Sequence, residues 1–136
     1  MTAAIIAGIT VTVTVAPLSG FADKASVSGY YSCTGTVGTC LASANLSTDT
    51  VTVTASGGTG AGPTFAWTRV SGDVFTITSA ATAATNFTIS CGRGLTKSAI
   101  YRCTITRGAA NYTVDVTVTG QYYYAADGDP PVGEEP

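Results

Sequence analysis

The chain has 136 residues, of which six are basic, eight are acidic and none is histidine. Its charged fraction is 10% and it contains 25 threonines, so its polar surface consists of hydroxyl groups rather than ions. Without a basic stripe the chain is a poor match for the phosphates of a nucleic acid. Without histidine it lacks the commonest general base and metal ligand. We therefore expect one domain that is not an enzyme, binds no nucleic acid and needs no metal ion or cofactor.

The first predicted element is a strand over residues 9–15, where apolar residues alternate with threonines. A period of two residues is typical of a half-buried strand. The first basic residue is Lys24, so the N-terminus lacks the basic start of a secretory signal. The apolar run at residues 3–9 is far shorter than the roughly 20 residues of a membrane span. We expect an unprocessed protein that is made in a cytoplasm and has no membrane partner.

Alternating β-branched runs recur along the rest of the chain, and no segment shows a convincing helical period. The predicted strands cover residues 25–32, 50–55, 64–70, 74–78, 85–91, 99–107 and 111–119. Clusters of Gly, Ser, Pro and Asp separate them. Short strands at this spacing indicate an all-β sandwich or barrel.

Composition divides the chain into three stretches. Residues 1–49 are expected to form an N-terminal strand and a Cys-containing hairpin that pack on a sandwich, whose core is residues 50–120. Residues 121–136 begin with three tyrosines and continue into a Gly/Pro/acidic tail, which alone in water should be disordered. We expect this last stretch to be unnecessary for the core.

Three residues of the central stretch carry a resemblance to a known family. Trp67 lies in the middle of a predicted strand, and Tyr101 precedes Cys103 by two residues. Together with the strings VSGD at 70–73, ATNFTI at 84–89 and YRCTIT at 101–106, this segment resembles the immunoglobulin-like domains, of bacterial and PKD-like type, of tailed-bacteriophage structural proteins. The resemblance implies an immunoglobulin-like antiparallel β-sandwich. It also implies that Trp67, Tyr101 and Cys103 are core residues and that the Tyr101 hydroxyl bonds to the corner before its strand.

One departure from the antibody pattern concerns the cysteines. The position of the first antibody cysteine is occupied by Val51 or Val53, so Cys103 has no partner in the antibody sense. We therefore expect Cys91 and Cys103 to be buried free thiols.

Cys33 and Cys40 flank a glycine-containing loop and are close enough to close it with a disulfide. They could equally remain reduced, because disulfides depend on the redox compartment. The spacings of the four cysteines do not match a structural zinc site.

Tyr122, Tyr123 and Tyr124 cannot all face one core from a strand. Either the segment is an edge strand with one ring buried in the core, or its rings contact another subunit. Tyrosine is enriched at interfaces because its ring buries a large area and keeps a polar tip.

Two functional hypotheses follow. The first is a non-enzymatic virion structural protein, an accessory subunit that decorates a bacteriophage capsid or the surface of a head or tail, with other virion proteins and copies of itself as partners. The second is an immunoglobulin-like adhesin or carbohydrate-binding module of a phage tail tip or a bacterial surface. Its loops at 55–63 and 107–111 would hold glycan through residues such as Arg107, Asn111 and Tyr112.

Overall fold

A computed structural model describes residues 2–6, 9–36, 38–126 and 131–132, with side chains from residue 14 to residue 126 except residue 37. All of the regular structure in these residues is β-strand. The strands are β1 (Thr2–Ile6), β2 (Ile9–Val13), β3 (Ser19–Ala22), β4 (Ser26–Thr34), β5 (Ser43–Ser47), β6 (Val51–Ser56), β7 (Thr64–Gly72), β8 (Thr76–Ile77), β9 (Ala84–Thr85), β10 (Phe87–Gly92), β11 (Thr96–Arg107), β12 (Ala110–Ala125) and β13 (Pro131–Val132).

One layer of the fold contains β4, β12, β11 and β7 in that order. β12 pairs antiparallel with β11, which pairs antiparallel with β7. On its other side β12 pairs in parallel with β4, in a register that runs from Thr117 opposite Ser26 to Ala125 opposite Thr34. β12 therefore lies between β11 and β4, and it connects the N-terminal third of the chain to the rest of this sheet.

The other layer consists of two three-stranded parts, β3–β6–β9 and β5–β10–β8. β5 and β6 follow each other along the chain, as do β9 and β10, so each pair forms one interrupted strand. At the interruption the N–H of Thr48 donates to the carbonyl of Phe87 over 2.9 Å, and the Thr48 hydroxyl accepts from the N–H of Phe87 over 3.1 Å. The threonine side chain thus supplies an acceptor where the ladder is broken.

The predicted all-β sandwich is confirmed. One layer has the order A–B–E–D when β3 is labelled A, β5 with β6 B, β9 with β10 E, and β8 D. The other has the order A′–G–F–C when β4 is labelled A′, β12 G, β11 F and β7 C. That order follows the two-sheet arrangement of immunoglobulin-like sandwiches. β3 lies in one layer and β4 in the other, so the first edge strand of the sandwich changes layers between Ala22 and Ser26.

An aromatic cluster fills the space between the layers. Phe87 lies 5.8 Å from Trp67 in an edge-on arrangement and 4.7 Å from Tyr101, measured between ring centroids. The indole N–H of Trp67 donates to the carbonyl of Thr82 over 2.9 Å, so its buried polar atom is satisfied. The main core is completed by Leu18, Val27, Val51, Val53, Phe75, Ala99, Cys103, Ile105, Val116 and Val118.

The Tyr101 hydroxyl has a different partner from the one the resemblance implies. It donates to the carbonyl of Phe75 over 2.8 Å and accepts from the N–H of Phe75 over 2.9 Å. Tyr101 lies in the middle of β11, so its hydroxyl reaches the segment that follows β7 and not the corner before β11. The bond therefore fastens the β7–β8 connection to the core.

The segment between β4 and β5 is a crossover where the sequence predicts a hairpin. β4 pairs with β12 in one layer, whereas β5 pairs with β10 in the other. Residues 35–42 therefore carry the chain from layer to layer. Because β4 is part of the sheet and Val27 is part of the main core, the N-terminal third does more than pack on the outside of the sandwich.

Substitution of Tyr101 tests the bond to Phe75. Tyr101→Phe should lower the free energy of unfolding by about 1–3 kcal/mol, because both backbone groups of Phe75 lose their partner inside the core. Tyr112→Phe is the control, since Tyr112 is 39% exposed and its loss of a hydroxyl should cost under about 0.5 kcal/mol. Urea denaturation of the two variants measures the difference, and equal effects would contradict the assignment.

Candidate functional site

β12 continues through Gly120 instead of ending there. A Cβ atom on Gly120 would lie 2.8 Å from Cγ2 of Ile89 and 3.3 Å from Cδ1 of Leu46. The glycine is therefore required by the close approach of the two layers and not by a turn. The strand crosses the boundary that the sequence predicts between residues 50–120 and 121–136, and residues 121–125 remain paired with β4.

The end of β12 builds a second core, which we call the tyrosine cluster: Tyr31, Tyr122 and Tyr124. The Tyr122 ring is fully buried and meets Tyr31 edge-on at 4.8 Å between centroids. Its hydroxyl donates to the carbonyl of Leu41 over 2.8 Å. Burial raises the pKa of this hydroxyl above its usual value. The guanidinium of Arg93 lies 5.2 Å from the centroid of the Tyr124 ring, a cation–π distance.

Two of the three tyrosines for which contact with another subunit is one alternative are buried in the structure. Tyr122 and Tyr124 are buried against residues of their own chain and are not available to a partner. Tyr123 points to the opposite face of the strand, is half-buried, and lies 6.4 Å from Tyr30 between ring centroids. The alternation of side chains along one strand accounts for the difference.

Cys33 and Cys40 form a disulfide, with their Cα atoms 5.9 Å apart. The bond closes the start of the crossover between the layers. The carbonyl of Cys40 also accepts a hydrogen bond from the guanidinium of Arg93 over 3.1 Å. The crossover is thus tied to both the disulfide and the tyrosine cluster.

The other two cysteines are buried free thiols. The Cys91 thiol lies 3.1 Å from the carbonyl of Leu95, and Cys103 is in the main core beside Trp67. Burial raises the pKa of the Cys103 thiol to about 11. A thiol with this pKa stays protonated and unreactive at neutral pH.

Two of the three loop residues considered for glycan binding are engaged inside the chain. Arg107 donates to the carbonyls of Gly57 and Gly60, over 3.2 and 3.5 Å, and so holds the loop between β6 and β7. The side-chain oxygen of Asn111 accepts from the Thr106 hydroxyl over 2.8 Å. Of the three, Tyr112 keeps an exposed ring.

That ring borders an open groove between β3 and the first half of β12, which we call the β3–β12 groove. The groove has a volume of about 310 Å³, and its lining includes Phe21, Ala22, Ala25, Tyr112, Val114 and Asp115. The N–H of Thr117 donates to the carbonyl of Ala25 on this side of β12, over 3.1 Å. Because backbone groups alternate in direction along a strand, those of Thr113 and Asp115 also face the groove. No described strand pairs with them there.

The charge of Asp115 is already paired. Its two carboxylate oxygens accept from the Arg102 guanidinium over 2.7 and 2.9 Å. These bonds hold the pKa of the Asp115 carboxyl below its usual value. The groove is therefore bordered by apolar rings and backbone groups, together with one neutralised carboxylate. The sequence does not predict this groove, because Phe21 follows Ser19 and Gly20, which are typical turn residues.

Within the described residues, no three Cys, Asp or Glu side chains converge as they would to hold a metal ion. No helix in the described part of the chain is long and apolar enough to cross a membrane. Comparison of the chain with protein-family models, curated proteins and solved structures gave no significant match.

Truncation tests whether the tyrosine cluster belongs to the fold. A chain that ends at Gly120 should lose cooperative unfolding or melt far below the full chain. It lacks Tyr122 and Tyr124, and truncating one buried aromatic residue typically costs about 3–5 kcal/mol. A chain that ends at Ala126 keeps both rings and should melt near the full chain. Circular dichroism melts compare the two, and similar melting of both truncations would make the cluster dispensable.

Reduction tests the contribution of the disulfide. Closing a loop of this length stabilises a domain by about 2–3 kcal/mol in the chain-entropy description. A reductant should lower the unfolding free energy of the full chain by that amount. It should leave the double variant Cys33→Ala/Cys40→Ala unchanged. A full chain that unfolds identically with and without reductant would show that the bond contributes nothing.

Proposed function

We propose that the protein is a non-enzymatic structural subunit of a bacteriophage particle, an accessory protein on the surface of the head or tail. The resemblance of the central stretch to immunoglobulin-like domains of phage structural proteins supports a phage particle as the assembly. The sandwich hosts many unrelated functions, so the surfaces of this chain must carry the rest of the argument.

The observation that carries the proposal is the pair of unfilled β surfaces. β1 and β2 form a two-stranded sheet that pairs with no other described strand. The β3–β12 groove exposes backbone groups of β12 that pair with no strand in the described part of the chain. Sheets with open edges readily add strands from another chain. A protein that functions by assembling with other chains could bind them through both surfaces.

The outer face of the β7–β11–β12 sheet fits the same role. Thr64 lies opposite Thr106, and Ala66 and Thr113 both lie opposite Thr104 in the strand register. These are short, largely uncharged side chains with little rotamer entropy to lose on contact. A hydroxyl-bearing face is suited to packing against neighbouring subunits, where ordered waters and hydroxyls complete the hydrogen bonds.

Particle association is tested by sedimentation. Antibody raised against the purified chain should detect it in phage particles banded on a density gradient, from cultures of the organism that carries the gene. An abundant cytoplasmic host protein is the control for contamination. The chain should stay with the particles on repeated banding, in constant ratio to the major capsid protein. Recovery on the cell surface, with binding to a glycan array, would instead support the adhesin hypothesis.

A further inference from the structure

The N-terminal hairpin of β1 and β2 is an incomplete structural unit. Its register runs from Thr2 opposite Val13 to Ile6 opposite Ile9, and it shares no ladder with another described strand. A two-stranded sheet is only marginally stable in water. Residues 2–13 contain no charged residue and no proline, which are the usual means of protecting an exposed edge.

The connection from the hairpin to the sandwich lies beside the loop between β6 and β7. Residues 14–17 are exposed, and the carbonyl of Ala16 accepts from the N–H of Gly58 over 2.8 Å. This bond fixes the connection against the loop between β6 and β7. Neither β1 nor β2 pairs with β12 in the same chain.

We propose that the β3–β12 groove binds the N-terminal hairpin of a second copy of this chain by strand addition. A strand of the hairpin would lie beside Asn111–Asp115 of β12, in line with β4, which occupies the same side from Thr117 onward. The stretch of β12 before its ladder with β4 is seven residues long, and each strand of the hairpin is five residues long, so a hairpin strand fits within that stretch. Each copy supplies one hairpin and one groove, so a reciprocal dimer fills both.

Side-chain chemistry at the groove agrees with this occupant. Phe21 is 62% exposed and Tyr112 39% exposed, and both border the groove. The alternating Ile and Val residues of the hairpin would cover these rings. Asp115 is neutralised by Arg102, and the hairpin carries no charge, so pairing brings no unpaired charge out of water.

The experiment measures self-association of the purified chain. Sedimentation equilibrium should show a dimer for the full chain and a monomer for a chain lacking residues 2–13. That shorter chain should fold, because it keeps every residue of the main core that the structure describes, from Leu18 onward. Phe21→Lys should raise the dissociation constant at least about tenfold, the order expected for a disrupted central contact. Val74→Lys is the matched control, because Val74 is 72% exposed and does not line the groove.

Mixing two variants tests whether the hairpin of one copy binds the groove of the other. Full-length Phe21→Lys offers a hairpin but a damaged groove, and the chain lacking residues 2–13 offers a groove but no hairpin. Together they should form a mixed dimer that neither forms alone. A monomeric full chain at about 100 µM, or a dimer that survives loss of the hairpin, would overturn the proposal. Only the purified chain is used, so a monomer would overturn self-association, whereas association with particles is decided by the sedimentation experiment above.

Discussion

The contact of Phe87 with Trp67 on one side and Tyr101 on the other is the interaction on which the rest of the fold depends. Phe87 comes from the layer that contains β10, whereas Trp67 and Tyr101 come from the layer that contains β7 and β11. Only 10% of the residues are charged, so ion pairs contribute little, and burial of apolar side chains, these rings among them, is the main attraction between the layers. The polar atoms of Trp67 and Tyr101 then fasten irregular segments to the core. The same rings therefore hold the layers together and position the connections outside the sheets.

Much of the sandwich is predictable because its strands alternate strongly. The residues from Val51 to Val53 and from Tyr101 to Ile105 show their buried faces directly in the sequence, and the structure buries those faces. β5 is harder to predict, because its buried residues are Ala44 and Leu46 and it has no β-branched residue. β3 is missed because Ser19 and Gly20 are typical turn residues, although they pair with β6. In both cases a partner strand distant in sequence decides the structure.

The candidate site could not be predicted for a related reason. Glycine weakens the interior of a strand, and only the approach of Ile89 from the other layer explains why position 120 within β12 is a glycine. The sequence therefore predicts that the tyrosines after Gly120 lie at the surface, whereas Tyr122 and Tyr124 are buried in the second core. Conversely, the β3–β12 groove exists because β3 and β4 lie in different layers, and no local pattern in the sequence encodes that switch. An open groove of this kind can be recognised only when the positions of all the surrounding strands are known.

The parallel pairing of β4 with β12 has a mechanical consequence. The two strands face each other over nine residue pairs, and their outward-leading ends, Ser26 and Ala125, lie at opposite ends of the shared ladder. Tension applied through these ends would slide one strand along the other and load all of the hydrogen bonds between them at once. An antiparallel hairpin such as β11–β12, pulled from its open ends, would peel apart one pair at a time. We therefore expect the domain to resist force that is applied through these two ends.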